Sequence, residues 1–347
     1  TIVYLLPAVA AQLAGAKVAI IMPNALIARQ VADECKALFP TGGVWFITSQ
    51  EKHTPAISGV SWPLVIGTTA VNHAIKEAVD LLVVDEQGRF GRAQREMLAD
   101  AHTNMLEVSA TPIPRTTALV SYAGMALSTL RQCPFEKRIE TQMVEASGAR
   151  ELFDKILRVT RAGGQVAVIY PLVEGEDPKT SVTGAAQTWS RFVKETAAVH
   201  GRMDDDEKQE VMARMRRGEI KLLVASSVIE MGLTLPDLRA MVVVCPERCG
   251  VLTLHQLRGR LARAGGEGHF WLYLKAQVSD DARARLQLLV NTSDGFELAE
   301  ADMTRRGFGD LAGDAEDQIG RAQTLFPGLR VEPRDIVALQ SLCDCMP

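Results

Sequence analysis

The residues with the clearest chemical potential are two adjacent carboxylates, Asp85 and Glu86, which directly follow the apolar run LLVV at 81–84. A carboxylate at the end of a core strand is costly to bury unless a cation or hydrogen bonds offset its charge. Such a pair suits phosphoryl transfer, because one carboxylate can hold Mg²⁺ through water while the other orients or deprotonates the attacking water. An acidic strand end that is simply exposed to solvent is the alternative that these two residues leave open.

A basic segment in the second half, HQLRGRLARAGG at 255–266, supplies groups that can bind a phosphate. Gln256, Gly259, Arg260 and Arg263 form the pattern Q-x-x-G-R-x-x-R. Arg260 and Arg263 are three residues apart, so in a helix they would share one face and could both reach a γ-phosphate. A solvated basic helix is the alternative. The phosphate role gains support because the segment follows a DE strand end and an SAT strand end, in that order.

The elements that must position these residues are predicted by short apolar, β-branched runs. They are too continuous for half-exposed strands and are typical of parallel strands buried on both faces. Helix-like segments at 25–39 and 204–218 alternate with them, which indicates an α/β fold. Ligands of parallel sheets sit beyond the carboxyl ends of the strands, where Asp85, Ser109 and Gly67 fall. The runs are 17–23, 63–69, 80–86, 105–111, 165–171, 220–227, 240–247 and 269–274.

The chain divides into three predicted regions. Residues 134–150 carry charge, Pro and Gly with little periodicity, which is typical of a linker. After residue 277 the strand runs vanish, and the sequence becomes helical and then Gly-rich (RRGFGDLAGD). We therefore expect one α/β domain at 1–143, a second at 144–277 and a small helical region at 278–347.

Composition places the chain among ordinary globular proteins, with 47% hydrophobic and 23% charged residues. The formal net charge of -4 gives no global basic signature, so any nucleic-acid contact must come from local groups. The six cysteines lack the spacing of a zinc site, which favours a reducing cytoplasm. The apolar opening is interrupted by Pro7 and Gln12 and does not begin with Met, so we expect an internal start rather than a secretory signal. No stretch predicts a membrane helix.

Six segments occur in the order found in one enzyme family: 85–91 (DEQGRFG), 109–116 (SATPIPRT), 200–203 (HGRM), 225–236 (ASSVIEMGLTLP), 246–263 (PERCGVLTLHQLRGRLAR) and 294–313 (DGFELAEADMTRRGFGDLAG). Over nearly its whole length the chain resembles superfamily 2 helicases that move on duplex DNA. The resemblance implies two RecA-like domains in tandem with a small C-terminal helical region. It also implies ATP and Mg²⁺ as cofactors, double-stranded and branched DNA as partners, and a cytoplasmic, monomeric motor. The implied function is remodelling of stalled forks and Holliday junctions in recombination and repair.

The resemblance also assigns roles to individual residues. Asp85 and Glu86 would form the Walker B pair, with Asp85 holding Mg²⁺ through water. Gln256, Arg260 and Arg263 would complete the catalytic set, the two arginines from the second domain. The other implied roles are ATP binding by Thr1, Gly232 and Thr234, coupling of hydrolysis to movement by Ser109, Ala110, Thr111, Arg115, Arg306 and Gln318, and DNA binding by Pro23, Asn24, Gly67, Thr68, Thr69, His200 and Arg202.

The sequence departs from the family pattern at several places. It contains no G-x-x-x-x-G-K-[ST] loop, but its opening resembles the helix after such a loop, so Thr1 is expected to be the loop's last residue, with true loss of the loop as the alternative. Thr234 replaces the acid of G-x-D-x-P, and Gly88 replaces the histidine of DEQH. Phe308 stands where a proline is usual, and the loop before Gln318 is about two residues longer than in the family.

Two other functions remain open from the sequence. A helicase-like DNA-binding or regulatory module without an ATPase cycle is favoured by Gly88 and Thr234, and disfavoured because the five proposed catalytic residues are all present. A dinucleotide-binding enzyme is suggested by GFGDLAG at 307–313, but this run has the wrong glycine spacing and follows MTRR rather than a strand.

Overall fold

The computed structural model describes residues 2–40, 43–49, 62–86, 90, 94, 97–109, 126, 128, 130, 136–170, 182–226, 235, 237–295, 297, 298 and 301. The described residues up to 109 belong to one compact unit, and those from 126 onwards belong to a second. Every pairing between described strands is parallel. The predicted α/β class with two parallel sheets is therefore confirmed.

The first unit contains a five-stranded sheet in the order β2-β3-β1-β4-β5. Helix α1 packs against its central strands, and α2 packs against β2 and β3. Asn24 starts α2, because its side-chain oxygen accepts a hydrogen bond from Ile27 N at 2.9 Å. The elements are α1 Ile2–Leu13, β1 Val18–Ile21, α2 Ala25–Leu38, β2 Val44–Ile47, β3 Leu64–Gly67, α3 Val71–Ala74, β4 Leu81–Asp85 and β5 Asn104–Val108.

The second unit contains a six-stranded sheet in the order β6-β11-β10-β7-β9-β8. Helix α6 has the predicted ends: Glu207 accepts a hydrogen bond from Asp204 N at 3.3 Å, and Gly218 follows with φ +77°. The elements are β6 Lys137–Glu145, α4 Ala149–Arg161, β7 Gln165–Ile169, α5 Val182–Ser190, β8 Thr196–Val199, α6 Asp205–Arg216, β9 Leu222–Ala225, β10 Leu238–Val244, α7 Val251–Arg258, β11 Gly266–Leu274 and α8 Asp280–Asn291, with single 3₁₀ turns at Ala146–Gly148 and Pro246–Arg248.

The predicted linker at 134–150 is wrong as a structural description, because Lys137–Glu145 forms strand β6. This strand pairs with β11 along its whole length, from Lys137 opposite Gly266 to Glu145 opposite Leu274. It lies at a sheet edge and none of its residues is buried, so its sequence carries no apolar run. Helix α8, from the predicted third region, packs Leu286 and Leu289 into the core of the second unit.

No described helix has the length and apolar character needed to cross a membrane.

Candidate functional site

Asp85 is the last residue of β4, where the structure fixes the orientation of its carboxylate. The Tyr4 hydroxyl donates to Oδ2 at 2.9 Å, and the Glu86 backbone N–H donates to Oδ1 at 3.0 Å. Burial raises the pKa of Asp85, and the Tyr4 hydrogen bond opposes this shift by stabilising the ionised form. A divalent cation would offset the desolvation further, so this half-buried, oriented carboxylate is a suitable ligand for Mg²⁺ held through water.

Glu86 turns the chain sharply away from the strand. Its φ is +54°, in the left-handed region that residues other than glycine rarely adopt. This conformation costs on the order of 1–3 kcal/mol and persists only where surrounding structure imposes it, often at functional sites. The strained backbone therefore belongs to the residue to which the family resemblance gives a catalytic role.

The neighbouring strand ends of the first unit bring other predicted residues to the same edge of the sheet. We call the carboxyl edge of each parallel sheet its rim. Asp85 is opposite Val108 on β5, so Ser109 lies one residue beyond it. Ile21 at the end of β1 is opposite Gly67 at the end of β3, and Pro23 and Asn24 continue from β1. The structure thus places Asp85, Ser109, Gly67 and the Pro23–Asn24 pair at the carboxyl edge of one sheet, as expected for a ligand site of this fold.

Gly67 has a packing role that is separate from any contact with DNA. A Cβ at this position would collide with the carbonyl oxygen of Ile47 and with a methyl group of Val71. The Thr68 N–H donates to the same Ile47 carbonyl at 3.1 Å, so the end of β3 lies tightly against β2. The hydroxyl of Thr68 also accepts a hydrogen bond from Ala70 N at 3.4 Å. Asn24 similarly uses its side-chain oxygen to cap α2.

The rim of the second unit contains two buried polar atoms with no hydrogen-bond partner among the described residues: His200 Nδ1 and Ser226 Oγ. His200 follows β8 and Ser226 follows β9, and Ser226 N donates to the Val199 carbonyl at 3.1 Å, so the two residues are neighbours. Burying an unpaired polar group costs about 1–3 kcal/mol, so such groups usually meet a partner. Arg202, which is exposed, lies two residues beyond His200.

Ser226 and Tyr170 are rim residues that the sequence interpretation did not assign. Tyr170 directly follows β7, and its backbone N–H donates to the Ala225 carbonyl at 2.8 Å, which places it beside Ser226. Burial raises the pKa of the Tyr170 hydroxyl, so it remains a neutral donor at physiological pH. The signal that could have found both residues is their position immediately after an apolar strand run.

The Q-x-x-G-R-x-x-R segment is only partly helical. Gln256 lies in α7, but the helix ends at Arg258, and Arg260 and Arg263 follow in a series of turns. Arg260 N donates to the Leu257 carbonyl at 3.0 Å and Leu261 N to the Arg258 carbonyl at 3.1 Å. The condition under which the two arginines would share a helix face is therefore not met, and their roles stay predictions. Ala262 between them has φ +48°, so the backbone reverses its local handedness there.

Arg258 is a residue of this segment that the sequence interpretation did not single out. It is 6% exposed, donates from Nη1 to the Leu289 carbonyl at 2.5 Å, and places Nη2 2.8 Å from His255 Nδ1. Burial, with a further contribution from Arg258, lowers the pKa of His255 to about 4, and burial lowers the pKa of Arg258 to about 10. His255 is therefore neutral at pH 7 and accepts from Arg258 through Nδ1, and the Arg258 hydrogen bond to the Leu289 carbonyl joins α7 to α8.

The comparisons with known proteins agree with this architecture. Residues 1–121 match the DEAD/DEAH box helicase family, and residues 149–265 match the helicase conserved C-terminal domain. The ATP-dependent DNA helicase RecG of Escherichia coli K12 is 33% identical over 346 residues, which cover 93% of this chain and 50% of that protein. RecG of Thermotoga maritima is 34% identical over 280 residues, covering 77% of this chain and 35% of that one. The chain thus carries both helicase domains in tandem and resembles RecG over most of its length.

Solved structures extend the similarity to the fold. A structure of RecG bound to a three-way DNA junction matches with a TM-score of 0.63 and 29% identity, over 84% of this chain and 40% of that one. Saccharomyces cerevisiae Dbp5 bound to RNA and ADP BeF3 matches with a TM-score of 0.59 at 14% identity, over 79% of this chain and 75% of that one, which shows the shared fold alone. Both parallel-sheet units are thus RecA-like helicase domains. The chain spans 35% of the length of the Thermotoga maritima RecG and 50% of that of the Escherichia coli RecG.

Several residues with predicted roles lie outside the described part of the structure, and their roles stay predictions. They are Thr1, Ala110, Thr111, Arg115, Gly232, Thr234, Arg306 and Gln318, together with the departures at Gly88 and Phe308. Among the described residues, no group of three or more His, Cys, Asp or Glu side chains could hold a metal ion by itself. Mg²⁺ in proteins usually keeps several water ligands and binds substrate phosphates beside one or two carboxylates.

Proposed function

We propose that this chain is the motor portion of a RecG-like, ATP-dependent helicase that translocates on duplex DNA and remodels branched DNA. The observation that carries the proposal is the oriented Asp85 carboxylate at the end of β4, in a chain that matches both helicase domains and RecG over 93% of its length. Stalled forks and Holliday junctions are the proposed substrates. The three-way junction in the related RecG structure supports a branched DNA partner.

ATP and Mg²⁺ are the proposed cofactors. Bound Mg²⁺ would neutralise phosphate charge during hydrolysis, with Asp85 as the residue that holds it through water. Glu86 would orient the attacking water or accept its proton. Gln256, Arg260 and Arg263 would contact the nucleotide, and the two arginines would stabilise charge on the γ-phosphate.

The rim residues are the proposed DNA contacts. The exposed guanidinium of Arg202 can pair with a phosphate, and the half-buried His200 two residues earlier is the second proposed contact of this unit. Thr68 and Thr69 offer hydroxyl groups from the first unit. Contacts of this kind are largely independent of sequence, which suits a motor that must not stop at particular bases. Ser109 is proposed to couple hydrolysis to movement.

The domain boundaries are also proposed anew, because β6 and α8 both pack with the second sheet. A boundary between residues 143 and 144 would cut β6, and we place it before Lys137. Helix α8 would then belong to the second RecA-like domain, since Leu286 and Leu289 lie in its core. The C-terminal helical region would begin after Asn291 rather than at residue 278.

DNA-stimulated ATP hydrolysis by the full-length native protein tests the proposal. Glu86→Gln is compared with Glu77→Gln, a matched control that removes a carboxylate from a surface ion pair with Lys17 in the same unit. We expect Glu86→Gln to abolish hydrolysis and Glu77→Gln to retain it, with forked DNA stimulating more than linear duplex. DNA binding without hydrolysis in the unaltered protein would instead assign the chain to an ATPase-inactive DNA-binding or regulatory module.

A further inference from the structure

A cavity of about 260 Å³ lies in the second unit between helix α4 and strands β6 and β11. Its polar and aromatic walls are formed by Glu140, Gln142, Lys155, Arg158, His269 and Trp271. Strands β6 and β8 are the two edges of this sheet, so the cavity lies at the edge opposite His200. None of its lining residues has a role in the proposed ATP or rim contacts. A ligand of this cavity would therefore bind separately from both.

The aromatic wall is a stack of two rings. His269 and Trp271 have ring centroids 5.3 Å apart and planes that differ by 5°. Trp271 is 3% exposed, whereas 35% of the His269 side chain is exposed, so the imidazole is the accessible member of the stack. Glu140 Oε2 lies 3.3 Å from His269 Nδ1 and holds the ring edge. A further flat ring can stack on the imidazole, as nucleobases do on protein side chains.

The opposite wall carries positive charge. Lys155 and Arg158 are three residues apart on α4, so they project from the same helix face. Lys155 Nζ lies 2.9 Å from Glu151 Oε1 and 3.4 Å from Gln142 Oε1. The Glu151 carboxylate is 69% exposed, and an ion pair in that setting is weak, so a phosphate can replace it. The two cations can bind the phosphate of a nucleotide, and the aromatic stack beside them can bind its base.

We propose that this cavity binds one unpaired nucleotide, with its base stacked on His269 and its phosphate held by Lys155 and Arg158. The amide of Gln142 offers both a donor and an acceptor to the base edge, and Glu140 offers an acceptor. The volume suits one nucleotide rather than a larger ligand. The site goes beyond the proposed motor function, because it concerns an unpaired strand and requires neither hydrolysis nor translocation. A free mononucleotide and a nucleotide within single-stranded DNA share this chemistry.

Photochemical crosslinking to the full-length chain tests the site. The probe is a short single-stranded oligodeoxynucleotide that contains iodouracil, and the attachment residues are identified by mass spectrometry. We expect attachment at His269 or Trp271. Arg158→Glu should weaken binding of the same oligonucleotide by about tenfold, a typical loss for a reversed phosphate contact, and should reduce its salt dependence. Arg161→Glu is the matched control, since Arg161 is exposed on the same helix and does not line the cavity.

The remaining arms separate the possible outcomes. Excess dTMP that suppresses crosslinking assigns the site to nucleotides in general, and undiminished crosslinking assigns it to the single strand. Attachment confined to the rim, or equal binding by Arg158→Glu and Arg161→Glu, would overturn the proposal. His269→Ala should remove the crosslink, and it leaves the charges of α4 unchanged. Circular dichroism checks that this variant is folded. Duplex-stimulated ATP hydrolysis should be unchanged in all three variants, so failure of this site leaves the proposed motor function standing.

Discussion

Arg258 of α7 donates a hydrogen bond from Nη1 to the carbonyl oxygen of Leu289 in α8, over 2.5 Å. The same guanidinium contacts His255 one turn earlier in α7, so a single buried cation joins the two helices. Arg258 lies two residues before the proposed nucleotide contact Arg260. Through Arg258, the segment that would sense the γ-phosphate is fixed to the helix that leads into the C-terminal region.

Arg258→Ala should therefore lower the free energy of unfolding by about 2–4 kcal/mol, because it removes a buried charged donor and leaves the Leu289 carbonyl unsatisfied. Urea unfolding followed by circular dichroism measures the effect. Arg248→Ala is the control: Arg248 is exposed, and its removal should change the free energy by less than about 0.5 kcal/mol. Equal free energies of unfolding for the two variants would show that the Arg258 contact does not stabilise the fold.

His255 should make the second unit less stable in mild acid. Its pKa is about 4 in the folded chain against an ordinary value of 6.5, so the unfolded chain binds the proton more tightly. The stabilisation from its neutral form is complete above pH 6.5 and is lost as the pH falls towards 4. After allowance for its partial exposure, we expect a loss of about 2 kcal/mol over this interval.

Unfolding of the wild type and of His255→Asn at pH 7 and pH 4.5 measures this dependence. Arg258, Asp294 and Lys137 are the charged groups that act on the imidazole, and they remain in the variant. The difference in stability between the two proteins should shrink at the lower pH. If the difference in unfolding free energy is the same at both pH values, the pKa of His255 does not differ between the folded and the unfolded chain.

Each of the eight apolar runs recognised in the sequence overlaps a strand of the structure. The three strands that were missed, β2, β6 and β8, are all sheet edges. An edge strand packs against one neighbour only, so it can be partly exposed, as β2 and β8 are, or polar, as β6 is with KRIETQMVE. Periodicity reports burial, and it therefore identifies central strands better than edges.

The candidate site shows the same division between local and long-range information. The apolar run before Asp85 was sufficient to predict a carboxylate at a strand end. Its Tyr4 partner is 81 residues away, and the carbonyl that binds Arg258 is 31 residues away. Such pairs depend on how helices pack on a sheet, which local sequence spacing does not specify. Spacing alone also did not decide whether Arg260 and Arg263 lie in a helix, because the turns from Gly259 to Ala262 interrupt an otherwise helix-compatible pattern.

Gly67→Ala should destabilise the first unit by about 2–4 kcal/mol, because the new methyl group would overlap the Ile47 carbonyl and the Val71 side chain. Gly43→Ala, whose new Cβ would meet only Pro63 Cβ at 3.7 Å, is the matched control and should be nearly neutral. Thermal unfolding of both variants measures the difference. Since packing alone accounts for the glycine, a loss of DNA binding in Gly67→Ala would not identify a DNA contact. Thr69→Ala, compared at equal stability, is the sharper test of DNA contact at this rim.

Tyr4→Phe tests whether the hydroxyl at Asp85 tunes the proposed catalytic centre. Burial raises the pKa of Asp85, and the Tyr4 hydrogen bond lowers it, so removal of the hydroxyl should raise the pKa further. Activity that requires the ionised carboxylate is lost as the pH falls through this pKa. The acidic limb of the ATPase pH profile should therefore move to higher pH in Tyr4→Phe, while the plateau at higher pH changes less. The control is Tyr273→Phe, which removes a tyrosine hydroxyl from β11 in the other unit and should leave the profile in place. A plateau that falls without any shift of the acidic limb would show that Tyr4 supports the structure of the site and does not set the protonation of Asp85.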